Sequence, residues 1–219
     1  MSEIVWIVTL RGDLDDKARE AFTGAVRASA VAMGATHALV EASAPGGREA
    51  GDLIVRVGFA DEALWERAAE RLETLGLEAE HAGMLARVDG AAYRALRTGG
   101  VSPRAGVFRT ALFAATRRPN RRRIAMFEAE TAAMPRQVAS IRGWMLGTVT
   151  RSCGRLGWTH VWEQTFDELE GLTKTYMNHP CHWGQVDRWF DPEHPDWQID
   201  PGLCHAFCTS ADLPPLAAG

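Results

Sequence analysis

Residues 157–178, GWTHVWEQTFDELEGLTKTYMN, read as a strand that runs directly into a helix, and residues 53–74, LIVRVGFADEALWERAAERLET, read the same way. In the first stretch a two-residue period puts Trp158, His160, Trp162, Gln164 and Phe166 on one face and Thr159, Val161, Glu163 and Thr165 on the other. Asp167-Glu168-Leu169-Glu170 is close to a capping box, and the helix is expected to end at Asn178, before Pro180. Working outward, Val107 to Ala115 reads as a strand and Arg121 to Met134 as a helix with Phe127, Thr131 and Met134 on one face, stopped by Pro135. Trp144 to Arg151 pairs with 157–166, and Leu203 to Thr209 closes the unit. The first half has the same order: strand Ile4 to Leu10, helix Asp13 to Met33, strand Ala38 to Ala42, the turn Ala44-Pro45-Gly46-Gly47, strand Leu53 to Phe59, helix Asp61 to Thr74 and strand Met84 to Val88. Both halves are therefore βαββαβ units of an α+β fold. The expected division is residues 1–95, a Gly/Pro-containing linker at 96–106, and residues 107–219.

The 219 residues, 46% of them hydrophobic, are enough for one large domain or two of about 100 residues. A net charge of −4 gives no general attraction to polyanions. The one basic run, Arg117 to Arg123, reads as a solvated strand-to-helix turn, so no nucleic-acid partner is expected. Met1-Ser2-Glu3-Ile4 lacks a basic n-region and an apolar h-region, and no apolar run reaches the ~18 residues of a membrane span. Cys153, Cys181, Cys204 and Cys208 form no CxxC pair, which suits a cytoplasmic protein with reduced thiols.

Chemistry concentrates between residues 157 and 190, where His160, Tyr176, His179 and His182 lie close in sequence. Imidazole is the side chain whose ordinary pKa, about 6.5, favours proton transfer near neutrality. Aligned without gaps, with Asp61-Glu62 on Asp167-Glu168, the halves put Ile54 on His160, Glu70 on Tyr176, Glu73 on His179 and Gly76 on His182. The scaffold is repeated and the polar cluster is not, so these groups look added to the fold. Trp158, Trp162, Trp183 and Trp189 suggest apolar walls for an aromatic or apolar ligand. His179 also reads as a helix-end residue. A zinc site from His179, Cys181, His182, Cys204, His205 and Cys208 has the ligand types on paper, but its spacing argues against it, and no metal is expected.

Gly157-Trp158-Thr159-His160-Val161-Trp162-Glu163, followed by Phe166, Tyr176 and His179-Pro180-Cys181-His182, resembles the stress-responsive dimeric α/β-barrel (Dabb) family, with spacing similar to its polyketide cyclases. The resemblance covers roughly residues 107–209. It implies ferredoxin-like repeats whose sheets close a barrel, within the chain or between the two chains of a homodimer. It also implies an acid/base enzyme without a cofactor, a lyase, cyclase or isomerase for a small aromatic or ketone substrate. Tyr176 and His182 would be the acid/base pair, with His160 supporting the pocket as the third catalytic residue. Trp158, Trp162, Arg109, Trp183 and His179 are the expected substrate contacts. Two departures stand out: Arg109 or Thr110 replaces a pocket histidine, and the insertion Asp191 to Pro201 can cover the pocket and supply Asp191, His194 or Asp196. A non-catalytic binding or stress-associated barrel, or a cofactor-free monooxygenase, would use the same pocket.

Overall fold

Apolar residues run without a break through Ile4–Val8, Leu53–Val55 and Phe108–Phe113, apart from Arg109 and Thr110, and such runs suit strands covered on both faces. The computed structural model describes residues 2–70, 83–100, 105–214 and 216. The first half comprises β1 (Ser2–Leu10), α1 (Asp16–Ala32), β2 (His37–Ala42), β3 (Leu53–Phe59), α2 (described from 62 to 70) and β4 (Leu85–Gly99). The second comprises β5 (Val107–Phe113), α3 (Arg121–Ala133), β6 (Gly143–Cys153), β7 (His160–Phe166) and β8 (Cys204–Thr209). Asp15 caps α1 by accepting from Ala18 N at 2.7 Å, and Phe22, Val26 and Ala30 at four-residue spacing bury its sheet-facing stripe. Asn120 does the same for α3, accepting from Arg122 N and Arg123 N.

The eight strands form one sheet in the order β2-β3-β1-β4-β6-β7-β5-β8. Each half has the ferredoxin-like order, and the halves join antiparallel through β4 and β6. At the other edge β2 and β8 nearly meet: Ala44 N donates to Phe207 O at 2.7 Å, and Arg48 and His205 exchange backbone bonds at 2.9 and 3.0 Å. The barrel thus comes close to closure within one chain. An eight-stranded barrel is just wide enough for side chains to fill, and here Val5, Ile7, Ile54, Phe108, Leu112 and Val161 form an apolar cluster inside it. The opposite face of the first half packs Ile4, Trp6, Val8, Val55 and Val57 against α1 and Trp65.

The structure departs from the sequence reading in three places. The closing strand of the first half extends from Leu85 to Gly99, through the first residues of the expected linker, because 90–99 pair with β6; residues 101–104 of that linker lie outside the described residues. The pairs Val8–Leu53 and Phe113–His160 make Leu53, not Ile54, the counterpart of His160. The gapless alignment was one residue out, which inverts every facing; its matches at Glu73 and Gly76, and the expected helix end at Thr74, lie outside the described residues. Finally, the helix expected at 167–178 is mostly a widened π-helical segment, Gly171–Tyr176, and a second, His182–Val186, follows it. Asp167 accepts from Arg142 Nε at 2.8 Å.

Gly147, on the β4–β6 seam, leaves room for Tyr93. A Cβ there would stand 2.3 Å from Tyr93 Cδ2, a buried ring that cannot swing into solvent. Gly147→Ala is expected to cost about 1–3 kcal/mol in urea unfolding through overpacking; an unchanged midpoint would show that the seam yields freely.

Candidate functional site

A cavity of about 350 Å³ lies between the sheet of the second half and the helical segments that cover it, within the usual size range for small-molecule sites. Its sheet side carries Arg109 and Phe113 of β5, Trp162 of β7 and His205 of β8. Thr131 of α3, Met134, Tyr176, His182 and Val186 lie on the helical side. Asp187, Asp191 and Arg48 also line it, and Arg48 comes from the first half.

The two π-helical segments carry Tyr176 and His182. A π turn adds a residue to the helical repeat and re-aims the side chains beyond it, and such turns occur often at functional sites. Met177 N accordingly reaches back to Leu172 O at 3.2 Å, and the phenol and imidazole rings meet edge to face at 4.7 Å. Burial, followed by the positive charge of Arg109, pushes the pKa of His182 down to about 4, so its imidazole is neutral and able to accept a proton at pH 7. Asp187 Oδ1 lies 3.9 Å from His182 Nδ1. His205 is pushed down to about 3, first by burial and then by Arg109, Arg48 and His182.

Arg109 is the fixed charge of the cavity. Its side chain is buried, its Nη1 donates to Gln164 Oε1 at 2.7 Å, and its guanidinium lies 5.3 Å from the Tyr176 ring centroid. Among the described residues no carboxylate pairs with it. Four residues that line the cavity carry buried polar atoms without a hydrogen-bond partner, Arg109 Nε, Thr131 Oγ1, Trp162 Nε1 and His205 Nδ1, as does Gln164, the partner of Arg109, at Nε2. Buried polar groups are normally satisfied, so such a concentration beside a cavity marks places where a ligand can bond.

Tyr176, His182, Arg109 and Trp162 therefore converge, and the other expected site residues stand elsewhere. His160 does not line the cavity: it packs edge to face on Phe127, with Nε2 3.2 Å from Glu128 Oε1 and Nδ1 2.8 Å from Thr159 Oγ1. Burial lowers its pKa against the opposing pull of Glu128. Trp158 precedes β7, escapes its alternation, and packs inside the barrel with Nε1 donating to Cys153 O at 3.1 Å. His179 accepts from Cys181 N at 3.2 Å, ordering the turn between the π segments. Trp183 is 60% exposed, with its indole toward Asn178 O. Trp189 donates to Glu130 Oε2 at 2.9 Å.

The insertion lies along the end of β5, with Thr116 N on Gln198 O and Asp200 N on Ala114 O, both at 2.8 Å. Asp191 and Pro201 reach the cavity, whereas Asp196 sits 3.8 Å from Arg123 and 3.7 Å from Arg188, and His194 accepts from Asp196 N. Of the six residues considered as zinc ligands, Cys204 and Cys208 point into the barrel interior and His205 to the opposite face. Among the described residues no three His, Cys, Asp or Glu side chains are placed to share an ion.

Residues 107–199 match the family model of the stress responsive A/B barrel domain. The match lies wholly within the second half of the chain. No curated protein matches the chain. Among solved structures, an anthrone oxidase-like protein aligns with a TM-score of 0.58 at 11% identity, covering 99% of this chain and 96% of that one. A mutant chlorite dismutase from Candidatus Nitrospira defluvii aligns with a TM-score of 0.56 at 11% identity over 95% and 91% of the two chains. A protein of Fusobacterium nucleatum provisionally named a monooxygenase gives 0.57 at 11% identity over 96% and 92%. At such identities the likeness establishes the barrel, including the first half that the family model leaves uncovered, and not the chemistry.

Arg48, and His205 in any role other than a zinc ligand, were not chosen from the sequence. Arg48 sits in a turn of the other half, and only the near-closure of β2 on β8 brings it to the cavity. His205 had a readable signal: on Cys204–Thr209 it alternates with the cysteines and shares the helix-facing phase with Phe207.

Proposed function

We propose that the protein is a cofactor-independent acid/base enzyme of the cytoplasm for a small aromatic or ketone substrate, of the lyase, cyclase or isomerase type. The observation that carries this reading is the contact of neutral His182 with Tyr176 in a cavity that also holds the buried Arg109. His182 takes a proton from an acidic C–H or phenolic O–H of the substrate. Tyr176 O–H and the buried Arg109 guanidinium donate to the oxyanion that develops. His160 holds the β7–α3 packing and takes no direct part. The four cysteines are thiols, in keeping with a reducing compartment, and no described helix is long and apolar enough to cross a membrane.

Proton abstraction is measurable before the physiological substrate is known. Phenols and aryl ketones with exchangeable C–H bonds are incubated with the protein in D₂O, and deuterium uptake is followed by NMR. For a compound that the wild type exchanges, His182→Gln should slow uptake by about 100-fold or more, and Tyr176→Phe should also slow it. The wild-type rate should stay level from pH 8 down to pH 5 and fall only as His182 protonates near 4. Full activity in both variants would remove the acid/base assignment and favour a protein that binds without catalysis.

A further inference from the structure

The buried cation in the cavity has no anion of its own, and that is an incomplete arrangement. Arg109 is 5% exposed, and among the described residues its only side-chain hydrogen bond runs from Nη1 to Gln164 Oε1. The Nε–Nη2 edge of the guanidinium is therefore left over, and Nε is buried without a partner. This edge is a planar two-donor fork whose spacing matches the two oxygens of a carboxylate. Gln164 is fully buried, and its orientation is fixed because Arg109 can only donate, so its carbonyl must face the guanidinium. Its Nε2 is consequently another donor without a partner.

The walls supply the rest of the specification. Phe113, Trp162, Met134, Val186, Phe190 and Leu203 are apolar, so the body of the ligand is apolar or aromatic. The acidic lining residues Asp187 and Asp191 are both exposed, and exposed Arg48 supplies a further positive charge. An anion is thus favoured at depth, beside Arg109.

We propose that the ligand of this cavity carries a carboxylate, bound by the Nε–Nη2 edge of Arg109, which Gln164 holds in place through Nη1, and that its apolar body lies along Phe113 and Trp162. The proposal rests on the reading of this cavity as the active site and narrows its substrate or product class to small aromatic or apolar carboxylic acids. It also bears on catalysis. The charge of Arg109 is one of the causes that depress His182 and His205. A bound carboxylate offsets that charge and lets His182 return toward its ordinary basicity, making it a stronger base with ligand than without.

The test compares 1-naphthoate with 1-naphthamide, which has nearly the same shape and no charge, binding to the full chain by titration calorimetry at pH 7.5. Naphthoate should bind about 10- to 100-fold more tightly than the amide. Arg109→Gln should abolish that preference and leave amide affinity nearly unchanged, with a melting curve showing that the variant is folded. Equal binding of the two compounds, tighter binding of the amide, or a preference for naphthoate that survives Arg109→Gln would each overturn the proposal, as would no binding of either at millimolar concentration. The measurement does not depend on turnover. Loss of the carboxylate preference leaves the His182 result standing, and a fully active His182→Gln leaves the binding result standing.

Discussion

Arg56→Met should destabilise the protein by about 3–5 kcal/mol in urea unfolding, the usual consequence of removing one partner from a buried ion pair. Arg56 on β3 points into the barrel interior, where its side chain and those of Glu3 and Glu163 are fully buried. Its Nε donates to Glu163 Oε2 at 2.9 Å, its Nη2 lies 3.4 Å from Glu3 Oε1, and its Nη1 is 2.7 Å from His37 Nε2. Tyr93 O–H completes the group by donating to Glu163 Oε1 at 2.6 Å. Burial lowers the pKa of the guanidinium, but Glu163 and Glu3 outweigh it and hold the charge firmly. Without Arg56 two carboxylates remain in a dry interior. Burial already raises the pKa of Glu163, with Arg56 as its main opponent, so in the variant this carboxyl takes up a proton more readily in the folded state than in the unfolded one. The deficit should therefore shrink as pH falls. The pair joins the two halves, and Glu163→Gln combined with Arg56→Met should cost at least 1 kcal/mol less than the two single losses added together. Strict additivity would show that the charges do not act as a unit.

The sequence reading located that interior only in part, and the reasons are physical. Strands β1, β3 and β5 were legible because their apolar runs must be covered on both faces, and β7 was legible from the alternation that leads into a helix. The outer part of β4, Asp89–Gly99, was not: its small and charged residues resemble a linker, and they pair with β6 where the sheets of the halves join. Glu163 was placed on the face opposite His160 without a partner, since nothing local indicates that Arg56, 107 residues earlier, would meet it. The candidate site was legible to the same extent. Tyr176 and His182 were singled out within the polar cluster and paired by the family resemblance, and the structure brings their rings into contact. Trp158 was misplaced because alternation was extended past the first residue of β7, and His160 was drawn into the site by its nearness in sequence to Tyr176 and His182 and by the family resemblance, whereas its side chain faces Phe127 and Glu128 of α3. Arg48 depends on near-closure of the barrel, a long-range event with no local trace.

The asymmetry between the halves has an energetic side. Under the first half, the position of His160 is held by Leu53 within an unbroken apolar cluster. In the second half the same layer contains Arg109, Gln164, His182 and His205, several of whose donors lack partners. Polar groups placed there cost stability unless a ligand bonds them, so the first half can serve as the rigid support while the second carries strain that binding relieves.

That cost should be visible as a pH dependence of stability. An unfolded histidine titrates near 6.5, whereas folded His182 and His205 titrate at about 4 and about 3, and His160 is also lowered. Between pH 6.5 and 4 the unfolded chain therefore binds more protons than the native one, and native stability must fall as the solution is acidified through that window. At pH 5 each fully depressed imidazole accounts for about 2 kcal/mol relative to pH 7.5, so His182 and His205 together account for about 4 kcal/mol. Glu163 and Asp187, whose pKa values burial raises, act in the opposite direction and blunt the total. Comparison with His182→Gln isolates one contribution: between pH 7.5 and 5 the wild type should lose about 2 kcal/mol more than the variant in urea unfolding. If the two proteins lost stability in parallel, the native imidazole would be taking up its proton as readily as an exposed one, and His182 would stand in water beside Arg109 rather than largely buried.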